Sequence, residues 1–393
     1  MSSVPAALGL LAPMSVTANE LSITDVSDYS SSKEAKSIND FDPAKEPAVT
    51  NSRLDGLEAR FNEFEAGAFS DTTSASFSAD FLIGAVDGST VSEAVTATYG
   101  YQIDLATSFT GEDSFSVSLD AGAGQASLGE ADTNSTTADA LVVDGISYQF
   151  PVGDKTQVVV GDSIDGSTLF STACVYGGFT NTLDDCGNAS SAIAGVLIGS
   201  VGASASYDIG GGWVAAVGYN GEGTVADGLL TKVGQDLYAG QVAYTADSYG
   251  ISLTMANVES ATKTSTALNE YYADTTYYAV NAYWTPEETG VVPSISVGFE
   301  NGNVEADETT ATDTNQWFVG FQWDEAGAGV LGASIGSAGA QASDAAEDLS
   351  MYEVFYSYPL NDGMTITPAV YVQEQAAGTD DITGVMVKTS FAF

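Results

Sequence analysis

The sequence predicts an all-β chain, a transmembrane antiparallel up-and-down β-barrel of about sixteen strands with a short N-terminal periplasmic helix ahead of it. Three observations predict it. From Thr72 onward apolar residues recur with period two; the links between the apolar-periodic runs alternate between short turns and long acidic loops; and an aromatic residue stands close to each short turn. Alternation alone would also fit half of a soluble sandwich, so the links and the aromatics carry the distinction.

Composition points the same way. Gly, Ser, Thr, Ala and Val dominate the 393 residues, while helix-favouring Leu, Lys and Arg are scarce. No run of apolar residues is long enough for a spanning helix. A barrel needs none, because only the lipid-facing half of each strand must be apolar. The formal net charge of −44 excludes a nucleic-acid binder. Histidine is absent, which removes histidine general bases and most transition-metal sites. The chain is therefore not expected to be an enzyme, and no cofactor is expected.

Taken in order, residues 1–18 resemble the end of a secretory signal. Ala6 to Ala12 are apolar, and Val16-Thr17-Ala18 offer small residues before Asn19. Met1-Ser2-Ser3-Val4 lack a positive n-region, so either translation starts upstream or the segment is a remnant. Residues 19–51 are polar, acidic and Ser-rich, with Pro43 and Pro47, and read as a periplasmic linker. Residues 52–69 read as an amphipathic or coiled-coil helix, with Leu54, Leu57, Phe61, Phe64 and Ala68 at heptad spacing. Two heptads are marginal alone in water. The helix needs copies of itself, the barrel mouth, or another part of its own chain.

Residues 70–393 make the barrel. Phe77, Ala79, Phe81 and Ile83 alternate with Ser78, Asp80 and Leu82; Tyr278, Val280, Ala282 and Trp284 do the same around Asn281; and Tyr352, Val354, Tyr356 and Tyr358 follow suit. Short turns are expected at 111–113, 153–155, 210–212, 246–248, 286–290, 325–329 and 361–363. Long loops are expected at 124–140, 164–198, 222–235, 260–274, 302–313, 338–348 and 374–382. Sorting of this kind, turns at one end and loops at the other, is what an outer-membrane barrel shows. The turn-end aromatics Phe109, Phe150, Tyr207, Tyr244, Trp284, Trp323, Tyr358 and Phe393 predict one ring at the periplasmic headgroup level. Phe393 would end the strand that closes the barrel.

The longest link, 164–198, follows the fifth strand. It either folds inward as a constriction loop, with Asp165, Asp184 and Asp185 at the narrowing, or covers the extracellular mouth. Cys174 and Cys186 within it suit a disulfide in an oxidising compartment, the alternative being two free thiols. By alternation Asp80, Asp104, Asp120 and Glu353 point into the lumen, with Lys388 as the rare base among them. The barrel contains no arginine, which predicts a preference for cations.

Ser52-Arg53-Leu54-Asp55-Gly56-Leu57-Glu58-Ala59-Arg60, Phe69-Ser70-Asp71-Thr72-Thr73 and the final Thr383-Gly384-Val385-Met386-Val387-Lys388-Thr389-Ser390-Phe391-Ala392-Phe393 resemble the cyanobacterial outer-membrane porins of the iron-uptake and carbohydrate-selective type. Pro5 to Pro13 and Asp25-Val26-Ser27-Asp28-Tyr29 are similar to that family's leader and mature N-terminus. The resemblance implies passive diffusion of small hydrophilic solutes or inorganic ions, iron included, across the outer membrane of a Gram-negative type envelope. Outer-membrane lipid, the barrel-assembly machinery engaged through the C-terminal strand, and two further copies in a trimer are the expected partners. Family members typically carry a surface-layer-homology domain ahead of the helix. Residues 30–51 are too few to hold one, so no cell-wall anchoring is expected of them. The competing reading is a structural or adhesive surface protein that conducts little.

Overall fold

The computed structural model describes residues 73–88, 93–123, 128, 130–131, 137–183, 201–223, 228–231, 234–259, 274–287, 290–305, 312–345 and 347–392. The signal-like segment, the linker, the helix expected over 52–69 and Phe393 lie outside them. The strands are β1 (Thr73–Asp87), β2 (Thr96–Thr107), β3 (Ser114–Gly122), β4 (Val142–Val152), β5 (Thr156–Asp162), β6 (Val201–Gly210), β7 (Trp213–Gly221), β8 (Asp236–Thr245), β9 (Tyr249–Val258), β10 (Thr275–Trp284), β11 (Ser294–Val304), β12 (Thr314–Ala326), β13 (Gly329–Ser337), β14 (Gln341–Ala342), β15 (Ser350–Asn361), β16 (Met364–Gln373) and β17 (Ile382–Ala392).

Each wall strand pairs antiparallel with its neighbours in sequence. The two-residue β14 only bridges to Thr314 and Asn315 of β12, so β13 pairs directly with β15 and the wall has sixteen strands. β17 pairs with β1, from Ser78 opposite Ala392 to Asp87 opposite Thr383, and this seam closes the barrel. Closure leaves no sheet edge, which is what lets strands cross a membrane.

Burial is inverted relative to a water-soluble sheet. Along β9, Leu253 is 58% exposed while its neighbour Ser252 is 2% exposed. Ile251 and Met255 face out with Leu253; Thr254 and Ala256 face in with Ser252. β11 repeats the pattern, with Val297 and Phe299 outward and Ser294, Ser296 and Glu300 buried inside. An apolar outer surface over a polar inner one is stable in lipid and unstable in water.

Several inward rings sit over a glycine directly opposite on the next strand: Tyr283 over Gly250, Tyr277 over Gly302, Phe355 over Gly332 and Tyr371 over Gly384. A methyl group at Gly384 would fall on the Tyr371 ring, so the missing side chain makes room for the aromatic and helps fix the register.

The connections sort by length as expected except after β10, where the link 285–293 is longer than the turn expected at 286–290 and matches the β11–β12 link on the other side. Short turns follow β2, β4, β6, β8, β12 and β15, and the β6–β7 hairpin places Gly210, Gly211 and Gly212 at positive φ, where a side chain would be strained. A first long-side link, 88–95, joins β1 to β2 and was not among the loops expected. β11 runs on to Val304, so the link before β12 is shorter than the 302–313 expected.

The turn-end aromatics lie on the outward face. Phe150, Tyr207, Tyr244, Trp284, Trp323 and Tyr358 are in strand ends, whereas Phe109 lies just beyond β2 in its turn. Phe109 is close to the rings of Phe115 and Tyr148, and Tyr244 packs between Trp213 and Tyr249. The indole N–H of Trp323 donates to the Val291 carbonyl at 3.1 Å, giving its ring one wet edge.

Candidate functional site in the barrel lumen

The link that leaves β5 does not turn away from the barrel. Its backbone is hydrogen-bonded in sequence order to inward side chains of successive strands. Gly166 N–H donates to Asn220 Oδ1 of β7 at 2.5 Å, and Asn220 Nδ2 donates back to the Ile164 carbonyl. Ser171 exchanges two bonds with Gln241 of β8. Asn281 of β10 donates to the Thr172 carbonyl, and Ser296 Oγ of β11 accepts from the N–H groups of Val175 and Tyr176. Gln322 of β12 accepts from Gly177 N–H at 2.9 Å. These wall residues are the polar members of period-two strands. Each satisfies a loop backbone group, most of them withdrawn from water.

The path ends on Glu353 of β15, which is 2% exposed. Its Oε1 accepts from Tyr176 OH at 2.7 Å and Phe179 N–H at 3.1 Å, and its Oε2 from Thr180 N–H at 2.9 Å and Thr180 Oγ1 at 2.5 Å. Burial, and then the adjoining carboxylate, push the Tyr176 phenol far above its usual range, so it remains a donor. Two strands further round, Lys388 Nζ of β17 lies 5.1 Å above the Phe179 ring, a cation–π contact.

A second link reaches the same place. Glu130, between β3 and β4, accepts from Asn181 N–H through its carbonyl and from Thr182 N–H and Oγ1 through Oε2. Tyr371 OH of β16 donates to the Leu128 carbonyl. Around these bonds Leu82, Leu128, Tyr176, Phe179, Leu183, Phe318, Met351, Phe355 and Met386 form an apolar cluster inside the barrel. Sequence reasoning missed this cluster. Its signal was present as large apolar residues at inward positions, such as Leu82 between Phe81 and Ile83.

Strand register puts all five expected lumen charges on the inner face. Asp80 is opposite Gly100 and Ser390, Asp104 opposite Ser76 and Ser118, Asp120 opposite Gln102, Glu353 opposite Ser334 and Tyr371, and Lys388 opposite Leu82 and Thr367. They are not alike. Glu353 is enclosed by the loop and Asp120 is 7% exposed, whereas Asp80, Asp104 and Lys388 keep partial access to solvent. Asp104 Oδ1 accepts from Ser118 Oγ at 2.6 Å and Gln102 Nε2 at 2.8 Å. Asp165 is exposed near the start of the loop, where its carbonyl accepts from Thr168. Asp184, Asp185 and Cys186 lie outside the described residues. Cys174 is disulfide-bonded, and Cys186 is the other cysteine in the sequence.

No protein-family model matches the chain, and no curated protein matches it. Among solved structures it is similar to the high-pH structure of Pseudomonas putida OprB, at 10% identity and a TM-score of 0.59, covering 82% of this chain and 94% of that one. It is similar to the anion-selective porin from Comamonas acidovorans, at 17% identity and a TM-score of 0.55, covering 82% and 99%. It is also similar to a loop L8 deletion mutant of OmpT, an outer membrane protein of Vibrio cholerae, at 12% identity and a TM-score of 0.55, covering 82% and 100%. At these identities the likeness is one of fold, the bacterial outer-membrane barrel.

Proposed function

We propose that the protein is an outer-membrane porin through which small hydrophilic solutes or inorganic ions diffuse passively, with a preference for cations. The observation that carries this reading is the pairing of an inverted-burial sixteen-strand barrel with a β5–β6 link hydrogen-bonded across its inner wall. A barrel of this strand number leaves room for an aqueous channel, and a loop fixed to its inner wall would narrow it. Cation preference follows from the charge balance: Asp80, Asp104, Asp120 and Glu353 face inward against one base, Lys388. Asp165, with Asp184 and Asp185, adds negative charge to the loop, and a Cys174–Cys186 bridge limits its excursions.

The resemblance to cyanobacterial outer-membrane porins supports an outer-membrane location, an inorganic cargo such as iron or a small carbohydrate, and assembly as a trimer through the barrel-assembly machinery. The aromatic ring at the turn end is read as a periplasmic girdle. Planar-bilayer recording tests the proposal directly. The folded protein should insert as discrete conductance steps, and its reversal potential in a KCl gradient should take the sign of cation selectivity. Folded protein with no conductance would favour a structural surface role, and an anion-selective reversal potential would overturn the charge argument.

A further inference from the structure

The loops do not cover the inner wall evenly. From β7 to β16 many inward polar residues are buried beneath them, as Asn220, Gln241, Ser296 and Glu353 illustrate. On the turn-side half of β1–β5 inward residues keep contact with solvent: Ser76 and Ser78 of β1 and Gln157 of β5 are exposed, and Asp104 and Ser118 are half-buried, whereas Leu82, Thr98 and Asp120 on the loop-side half are buried. Among the described residues, water therefore reaches the inner wall along the turn-side half of β1–β5.

Only some of the inward charges face that path. Glu353 is consumed in holding the loop, and Asp120 is buried. Asp80 lies diagonally across the seam from Lys388, close enough for the two opposite charges to offset one another. Asp104 differs on each count. It is accessible, and β1, β2 and β3 contain no basic residue. Gln102 and Ser118 hold its Oδ1, which keeps the carboxylate in one orientation on the wall.

We propose that Asp104 is the specificity-determining charge of the pore, a fixed wall carboxylate that favours inorganic cations in transit along β1–β5. The inference rests on the porin reading and places selectivity on the wall instead of on the loop carboxylates. A unit charge acting on an ion about 7 Å away in water changes its local concentration about two- to threefold.

The test is the reversal potential in a KCl gradient for the folded wild-type protein, Asp104→Asn, Asp104→Glu and Asp362→Asn, the last removing an exposed turn carboxylate away from the path. Asp104→Asn should lower the potassium-over-chloride permeability ratio about four- to ninefold, because the charge enriches potassium and depletes chloride by that two- to threefold factor each. Asp104→Glu should retain most of it, and Asp362→Asn should leave it unchanged. Folding of each variant is checked by heat-dependent migration on a denaturing gel. A conducting Asp104→Asn pore with the wild-type ratio would overturn the assignment and leave the porin reading intact, as would an equal drop in Asp362→Asn. A folded wild-type protein that does not conduct would instead overturn the porin reading itself.

Discussion

Glu353 collects four donors from one stretch of loop, so removing its carboxylate strands several polar groups in a dry place at once. Glu353→Ala should weaken the loop's hold by about 1–3 kcal/mol while leaving the barrel folded, because the barrel wall does not depend on these bonds. Faster proteolytic nicking of the loop and a noisier open channel would show it; unchanged values for both would mean that the other wall contacts hold the loop without this residue. Asp113, beside β3, does comparable work in a turn. It accepts from Tyr148 OH, from Ser108 Oγ and from the N–H groups of Phe109 and Thr110. These bonds, that from Tyr148 first, hold its carboxyl well below the usual carboxylate range. The unfolded value is about 3.9, so the stability it contributes is fully present above that pH and is lost as pH falls through the lower folded value. Asp113→Asn should flatten the acid end of the stability-against-pH curve, followed by heat-dependent gel migration after incubation at stepped pH. A variant with the wild-type acid slope would show that the turn is held by something other than this charge.

At the scale of a strand, the two faces of β9 make opposite demands. Leu253→Lys places a charge in the middle of the lipid-facing stripe and should cost about 2–4 kcal/mol, whereas Ser252→Ala on the inner face should cost little. Urea midpoints in lipid vesicles would separate the two, and equal costs would count against a bilayer-facing outer surface. The alternation that distinguishes these positions was legible in the sequence, because period two requires nothing beyond the identity of neighbours. The hairpin ends were legible for a similar reason: Gly153 and Gly210 to Gly212 are turn residues with a local conformational cause. The course of the long link was not. Tyr176 meets Glu353, and Val175 meets Ser296, across most of the barrel, and no local pattern announces such a partner. Parity likewise turned Asp80, Asp104 and Glu353 inward but could not separate a carboxylate enclosed by a loop from one left facing water. Leu82, Phe318 and Met351 were visible as exceptions to the polar inner face, and only the packed loops explain them.

For the whole molecule, a net charge of −44 would make the selectivity of the proposed pore a matter of field as well as of contact. Raising the salt from about 0.1 M to about 1 M shortens the screening length from about 10 Å to about 3 Å, so the cation preference should fall steadily over that range. A reversal-potential series at fixed gradient ratio would measure it, and a flat series would point to a size filter instead of an electrostatic one. The seam between β1 and β17 has a different kind of consequence. Ser78 pairs with Ala392, so the first and last described strands meet across nearly the whole chain. Every other wall pairing joins wall strands consecutive along the chain and can form as the polypeptide is delivered; this one has to wait for the end. Until then the curling sheet carries two rows of unpaired backbone donors and acceptors, an adhesive edge that invites pairing with any other chain. Maturation is therefore governed by the last hairpin to arrive, and a nascent chain stalled before β17 is a template for aggregation, in need of a chaperone that caps its edges.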